Sequence, residues 1–159
     1  MAETGRLALP LLEAGQARKE MTVNEALARL DLAVQAKVEA VGVSTPPVAP
    51  VEGQGWIVGD SPNGAWTGKA AAIAGWTAGG WRFLAAREGM RVWSAADGTV
   101  VTHSGGAWRS GLLIGGLQVV GTQAAAIGTV TGGSVVDVEA RAALGAILVA
   151  LRAHGLIAI

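Results

Sequence analysis

The chain has 159 residues and carries twelve basic and twelve acidic side chains, so its formal net charge at neutral pH is zero. This length suffices for one domain, or for one small domain with appended segments, and no block of like charge marks a surface for nucleic acid or an anionic membrane. Cysteine is absent, which excludes disulfides and thiol catalysis.

The first element predicted along the chain is an amphipathic helix. Thr22 and Glu25 have the spacing of a capping box, which predicts that the helix begins at Val23. Apolar residues then recur at steps of three and four, forming one stripe that consists of Leu27, Leu30, Val34, Val38 and Val41. Residues 1–44 are therefore predicted to be an N-terminal helical assembly segment. The residues predicted to be buried there between subunits are Leu27, Leu30 and Val34.

The next segment, residues 45–110, is predicted to be a small antiparallel β domain rich in tryptophan and glycine. Turn signals recur at about the spacing of short strands. They stand at residues 60–64, 78–80, 97–98 and 104–106. The runs between these turns suit half-buried strands, so a strongly bent sheet or a partly open barrel is expected. With a helix before it and another after it, the predicted fold class is α+β.

Six tryptophans supply nearly all of the aromatic surface, because tyrosine is absent and there is one phenylalanine. Indole rings pack in small β cores and also form sugar-binding faces, so this pattern favours packing or binding over catalysis. Burial is the commoner state for any single tryptophan. The candidates for a glycan-binding face, of which two or three are expected to be exposed and nearly coplanar, are Trp66, Trp76, Trp81 and Trp93. Trp66 is the strongest, since polar residues flank it after a predicted turn.

A long uncharged stretch follows the β domain. The 27 residues between Arg109 and Asp137 include no formal charge. A stretch of this length can span a bilayer, but glycine and glutamine dilute it, and no aromatic or basic belt flanks its far end. We therefore predict no membrane insertion. The preferred interpretation is a buried strand over residues 112–120, followed by a connector of small residues that needs protein neighbours to cover it.

A second helix is predicted near the C-terminus. Ser134 and Asp137 place capping groups and negative charge at its start, and Arg152, His154 and Gly155 end it. Its heptad-like apolar seam consists of Ala140, Leu144, Ile147, Leu151 and His154, and Leu148 widens it.

The pattern of this helix alone allows either docking on the chain's own domain or self-association. One small chain covers the uncharged connector poorly, so self-association is preferred. Residues 111–159 are predicted to be a connector strand followed by an oligomerisation helix. The residues expected in its interface are Leu144, Ile147, Leu148 and Leu151.

The residues that carry enzyme chemistry form no strong pattern, so the chain is predicted not to be an enzyme and to hold no cofactor. His103 and Ser104 are neighbours in a predicted strand and point to opposite faces. Two histidines without cysteine give no ligand spacing for zinc. Paired-carboxylate catalysis stays open, although solvated surface groups are the stronger interpretation of the few acids in the β domain. These acids are Glu52, Asp60, Glu88 and Asp97.

The opening of the chain carries a recognisable pattern. It comprises Leu9-Pro10-Leu11-Leu12, Gly15-Gln16-Ala17-Arg18-Lys19-Glu20, Thr22-Val23-Asn24-Glu25-Ala26-Leu27 and Leu30-Asp31, and it continues through Trp56-Ile57-Val58-Gly59, Gly80-Trp81-Arg82-Phe83-Leu84 and Arg87-Glu88-Gly89. Over about residues 7–108 the sequence resembles a domain of unknown function found in tail-fibre and head-spike proteins of phages and gene transfer agents.

This resemblance implies a structural component of a phage-like particle, a base or adaptor where the particle meets the host. It implies a homo-oligomer, a trimer or a pentamer, that contacts other capsid or fibre proteins and is assembled in the bacterial cytoplasm as part of a virion or phage-like particle. It also allows adsorption to host capsular polysaccharide. The alternative is a stand-alone carbohydrate-binding module that uses exposed tryptophans.

Overall fold

Turns rich in glycine divide the chain into strands of two to six residues. This computed structural model describes residues 2–12, 19–129, 131–132, 137–153 and 156–158. The chain divides into two compact units, residues 1–110 and 111–159. The elements of the first unit are α1 (Lys19–Ala33), β1 (Lys37–Val38), β2 (Ala40–Val43), β3 (Gly55–Val58), a 3₁₀ turn (Gly64–Trp66), β4 (Ile73–Thr77), β5 (Gly80–Leu84), β6 (Arg91–Ser94), β7 (Thr99–Ser104) and β8 (Ala107–Ser110). Those of the second are β9 (Leu112–Ile114), β10 (Leu117–Val120) and α2 (Val138–Ala153).

The predicted α+β class is confirmed, with an N-terminal helix, mainly antiparallel sheets and a C-terminal helix. The first unit holds two four-stranded sheets, with strand orders β2-β3-β4-β5 and β1-β6-β7-β8. The described residues form no closed barrel. Hairpins connect most neighbouring strands, as the turn signals predicted, but β1–β6 and β2–β3 are parallel pairs that the antiparallel prediction did not include.

The predicted bounds of α1 are wrong. The helix includes Lys19, so Thr22 and Glu25 lie inside it and form no capping box. It ends at Ala33, and Gln35 then adopts a left-handed conformation with φ of 45°. Val38 and Val41, predicted on the helix stripe, instead lie in β1 and β2, since β-branched residues pack well on pleated sheets.

The segment after α1 joins both sheets. β1 pairs with β6, and β2 pairs with β3, although one residue separates the two short strands. That residue, Glu39, donates its backbone N–H to the carbonyl of Gly55 at 2.7 Å. Residues 37–41 were predicted as the end of the helix in a separate N-terminal segment, but residues 37–43 are integral to the β structure.

The two sheets pack against each other through aliphatic side chains. One sheet contributes Ile57 and Ile73, and the other contributes Val38, Val92 and Val101, all at most 4% exposed. Burying each such side chain contributes about 1.5–3 kcal/mol. This cluster is the main core of the first unit.

The described inward face of α1 differs from the predicted stripe. Asp31 and Leu32 are buried, whereas Leu30 and Val34 are 50% and 47% exposed. Leu32 lies over Gly75 of β4, where a β-carbon would lie 2.6 Å from Leu32 Cδ1. Glycine at this position therefore lets the helix approach the sheet closely.

The N-terminal residues are fastened to α1 by hydrogen bonds that no local pattern predicts. The Asp31 carboxylate, 4% exposed, accepts from Thr4 Oγ1 at 2.8 Å and from the backbone N–H groups of Arg6 and Leu7 at 3.0 and 2.6 Å. The Arg6 guanidinium in turn donates to the carbonyls of Asp31 and Gln35 near the helix C-terminus. Arg6 thus supplies the positive charge that the last turn of α1 itself lacks.

The second unit differs from the predicted single buried strand. Residues 112–120 fold back at Gly115 and Gly116 as the antiparallel hairpin β9–β10, and most of its side chains are exposed. The predicted cap by Asp137 is confirmed, since its Oδ1 accepts from the Ala140 N–H at 2.8 Å. Ser134, His154 and Gly155, the other predicted terminal signals, lie outside the described residues. In the described part of the chain, neither helix is both long and apolar enough to cross a membrane.

Candidate binding and assembly surfaces

Trp66 is fully buried, so the prediction that it is exposed is wrong. The 3₁₀ turn directs its indole into a cluster with Trp56 and Trp81, with ring centroids 6.2 and 5.1 Å away. Backbone bonds hold the turn in place, including one from the Asn63 N–H to the carbonyl of Ser44 at 2.9 Å. A ring without exposed surface cannot stack on a sugar.

Trp76 and Trp81 are directly opposite each other in the β4–β5 hairpin. Their ring centroids are 5.0 Å apart and their planes meet at 69°, an edge-to-face packing. The pair therefore forms no coplanar platform, contrary to the expectation. Both residues are half-buried, and a sugar-binding role for either one stays a prediction.

Trp93 is the most exposed of the six tryptophans, at 45%. It lies in β6, where exposed and buried side chains alternate, so it projects from the outer face of its sheet. A groove of about 390 Å³ adjoins it, lined also by Gln35, Ala36, Arg91, Val92 and Val100. Of the four predicted sugar-binding tryptophans, Trp93 alone combines exposure with an adjacent groove.

A larger cavity of about 610 Å³ lies beside α1 and the β4–β5 hairpin. Its polar groups are largely engaged with one another. Glu25 accepts from Arg82 Nε at 2.6 Å and from Arg29 Nε at 2.9 Å, and Asn24 exchanges two hydrogen bonds with the backbone of Leu12. The structure therefore assigns these side chains to fastening α1 to the hairpin and to the N-terminal residues.

The Glu25 ion pairs make the docking of α1 sensitive to acid. Burial by itself would raise the pKa of Glu25, but hydrogen bonds and charge from Arg82 and Arg29 outweigh it and hold that pKa below the usual 4.5. The stabilisation from a carboxylate with a lowered pKa is present above its unfolded-state pKa and is lost as the pH falls through the folded-state pKa.

We expect Glu25→Gln to be less stable than the wild type at neutral pH, with the difference shrinking toward about pH 3. Urea unfolding of both proteins across this pH range measures it. Glu52→Gln, which changes an exposed acid that forms no ion pair with another described residue, is the matched control. A stability difference that is constant with pH would contradict the coupling.

His103 and Ser104, the pair considered for nucleophilic catalysis, contact different partners. His103 is 8% exposed and packs edgewise against Trp108 with ring centroids 5.2 Å apart. Ser104 instead donates to Glu88 Oε1 at 2.8 Å. Among the described residues, no three histidine, aspartate or glutamate side chains are grouped to hold a metal ion.

The predicted oligomerisation residues of α2 divide into two sets. Leu144 and Ile147 are 46% and 55% exposed, and Leu151 is half-buried. Leu148 is 8% exposed within the single chain, so its assignment to an interface between subunits is corrected to a core position. In α1, Leu27 is half-buried and Leu30 is about half exposed, as is Val34 just after the helix, and their assembly role stays a prediction.

Sequence reasoning missed much of the exposed apolar surface of the second unit. Eleven large aliphatic side chains among its described residues are 39–73% exposed. They are Leu112, Ile114, Leu117, Val119, Val120, Ile127, Val138, Leu144, Ile147, Val149 and Leu156. The signal for the hairpin members was the Gly115-Gly116 pair, which marks a turn inside the presumed strand.

Comparison with known proteins identifies the first unit. The family model described as "Protein of unknown function (DUF2793)" matches residues 23–109, more than half of the chain. This match covers most of the first unit and none of the second. No curated protein matches the chain. The chain therefore belongs to the DUF2793 family of proteins of unknown function.

Proposed function

We propose that this protein is a homo-oligomeric structural component of a phage-like particle, a head spike or tail fibre of a phage or gene transfer agent. In this proposal the second unit joins the subunits, and the protein is a base or adaptor at the host-facing surface. The observation that carries the proposal is the exposed aliphatic surface of the second unit.

The summed exposed area of these side chains reaches the size of a standard interface. Eleven side chains that are each about half exposed offer on the order of 1,000 Å², against the ~800 Å² that each partner contributes to a standard interface. An isolated two-stranded hairpin such as β9–β10 is at best marginally stable in water. The helix α2 is likewise apolar on most sides, as is typical of a buried helix. Association of subunits would cover the hairpin and α2 and so stabilise both elements.

A second copy of the chain is the occupant that this surface favours. No formal charge occurs between Arg109 and Asp137, so the hairpin presents no charge pattern that would select a different partner. Both edges of the two-stranded sheet lack a further strand among the described residues, and strands of identical copies can pair there. In a closed ring such as a trimer or a pentamer, every copy then makes the same contacts.

The location of the oligomer in a particle is supported by the resemblance of residues 7–108 to tail-fibre and head-spike proteins. Placement at the host surface gives a role to the exposed Trp93, which can contact host polysaccharide. The same exposed tryptophan favours the second candidate function, a stand-alone carbohydrate-binding module. The two candidates differ in assembly, since a binding module has no need of an oligomer.

The molar mass of the purified full chain tests the proposal. We expect light scattering after size-exclusion chromatography to give three or five times the 16.0 kDa of one chain, unchanged on dilution to about micromolar concentration. A well-folded monomer at every concentration would overturn the assembly proposal and favour the stand-alone module.

A further inference from the structure

The outer face of the sheet β1-β6-β7-β8 combines positive charge with the exposed tryptophan. We call this surface the Trp93 face. It consists of Lys37, Arg91, Trp93, Val100, Thr102 and Arg109. Side chains alternate along each strand, and Val92, Val101 and Trp108 point into the core, so the residues next to them project from the opposite face.

Strand register fixes how these side chains are arranged. Trp93 is directly opposite Lys37 of β1 and Val100 of β7. Thr102 is directly opposite both Arg91 of β6 and Arg109 of β8. The two arginines therefore lie two strands apart, at about 10 Å between their Cα atoms, with a threonine hydroxyl between them. Trp93 is two residues from Arg91 along β6 and so lies beside this row.

The positive charge of the Trp93 face is largely uncompensated. Arg91 and Arg109 are exposed, and neither side chain makes an ion pair or a hydrogen bond with any other described residue. The acid nearest to Lys37 is Glu39, at 3.9 Å, and such an exposed pair contributes little. Glu88 is held at the end of β7 by Ser104 Oγ and the Gly105 N–H, beside the turn that Arg109 Nη2 approaches, but it forms no ion pair with a described arginine. A chain with zero net charge thus concentrates three cations on one sheet face.

We propose that the Trp93 face binds an acidic saccharide. The indole of Trp93 packs against the apolar face of one sugar ring, in the groove that adjoins it. Arg91 and Arg109 pair with carboxylates on neighbouring sugars, since a guanidinium matches the planar geometry of a carboxylate. This assignment rests on the proposed function, in which the protein meets a host surface, and it adds the class of ligand and the residues.

A saccharide fits this face better than a nucleic acid does. Proteins that bind single strands stack successive bases on several aromatic side chains along a basic groove. The Trp93 face offers one exposed aromatic ring, and the sequence has a pI of about 6.7 with no wider basic field. Two exposed arginines whose Cα atoms lie about 10 Å apart on one sheet face suit instead the repeated carboxylates of an acidic polysaccharide.

The test measures binding of fluorescein-labelled oligogalacturonate, a carboxylated saccharide, to the full chain by fluorescence anisotropy. An uncharged galactan oligomer of equal length is the matched ligand. We expect binding of the acidic oligomer only, with a Kd that rises as salt is added. Arg91→Gln with Arg109→Gln should weaken binding about tenfold and flatten the salt dependence, because two exposed charge pairs are lost. Binding next to Trp93 should also change the tryptophan emission of the wild type. Trp93→Ala should weaken binding and abolish this change in emission.

Lys69→Gln is the control variant. The Lys69 ammonium lies 5.4 Å from the Phe83 ring centroid, away from the Trp93 face. The variant therefore removes one positive charge outside the proposed site and should bind the acidic oligomer as the wild type does. The inference is overturned by equal binding of the neutral oligomer, by wild-type affinity in the double arginine variant, or by tighter binding of oligothymidylate. The molar mass of the same samples keeps the two proposals separate. An oligomer that binds no acidic saccharide overturns only this inference, and a monomer that binds it overturns only the assembly.

Discussion

Replacing Asp31 by alanine is expected to lower the free energy of unfolding by about 3–5 kcal/mol. The buried carboxylate accepts from Thr4 Oγ1 and from the backbone N–H groups of Arg6 and Leu7. Alanine leaves these three donors without their acceptor, and each charge-assisted bond contributes about 1.5–3 kcal/mol. The N-terminal residues should then separate from α1. Urea unfolding measures the loss of stability, and hydrogen exchange at Arg6 and Leu7 reports the separation.

Two further variants distinguish the contribution of the Asp31 carboxylate to stability from that of its hydrogen-bond partners. Thr4→Val removes one donor to Asp31 and also the acceptor of the Leu9 N–H, so it should cost about 2 kcal/mol. Asp31→Asn keeps the shape but turns one acceptor into a donor that faces the Arg6 N–H, so its stability should fall between those of the wild type and Asp31→Ala. Unchanged exchange at Arg6 and Leu7 in Asp31→Ala would show that these bonds do not hold the N-terminal residues.

The elements that sequence predicted well are those fixed by local signals. Short strands bounded by glycine turns, such as β5 and β7, were predicted because turn chemistry acts over a few residues. The cap at Asp137 was predicted for the same reason. Local periodicity failed where a helical spacing continued into β structure. Val38 and Val41 match the stripe of α1, yet the turn at Gln35 ends the helix before them.

The elements that sequence did not predict depend on contacts between distant residues. Asp31 lies inside a helix, and it accepts hydrogen bonds from the backbone N–H groups of Arg6 and Leu7. Nothing in the sequence around Asp31 indicates these partners. Gly75 admits Leu32 of α1 close to the sheet, and nothing in its sequence neighbourhood indicates that contact. Such partners are set by tertiary packing, which local pattern does not encode.

The candidate sugar site was predictable in residue type but not in position. The sequence offered four candidate tryptophans and favoured Trp66, but tertiary packing buries Trp66 and leaves Trp93 exposed. The charges beside Trp93 could be recognised only from strand register, since Arg91 and Arg109 are eighteen residues apart in the chain and share a face through Thr102. A pairing of strands, not a motif, brings the parts of this surface together.

The second large effect is expected in α2. Leu144→Asp with Ile147→Asp should convert the oligomer into a monomer, measured as molar mass by light scattering. Both side chains are about half exposed within the single chain, so a carboxylate there remains hydrated in a monomer. In an interface the same carboxylate would be buried without a partner, at a cost of several kcal/mol for each subunit.

Position on the helix supplies the control for this prediction. Leu148 lies on the buried side of α2, and Ala146 lies on nearly the opposite side, exposed to solvent. Ala146→Asp adds the same charge in the same turn of the helix and should leave the molar mass unchanged. If both proteins remain oligomeric, the Leu144 side of α2 lies outside the interface, and the exposed hairpin β9–β10 becomes the surface that joins the subunits. If both become monomeric, the interface surrounds the helix, as its apolar composition on most sides permits.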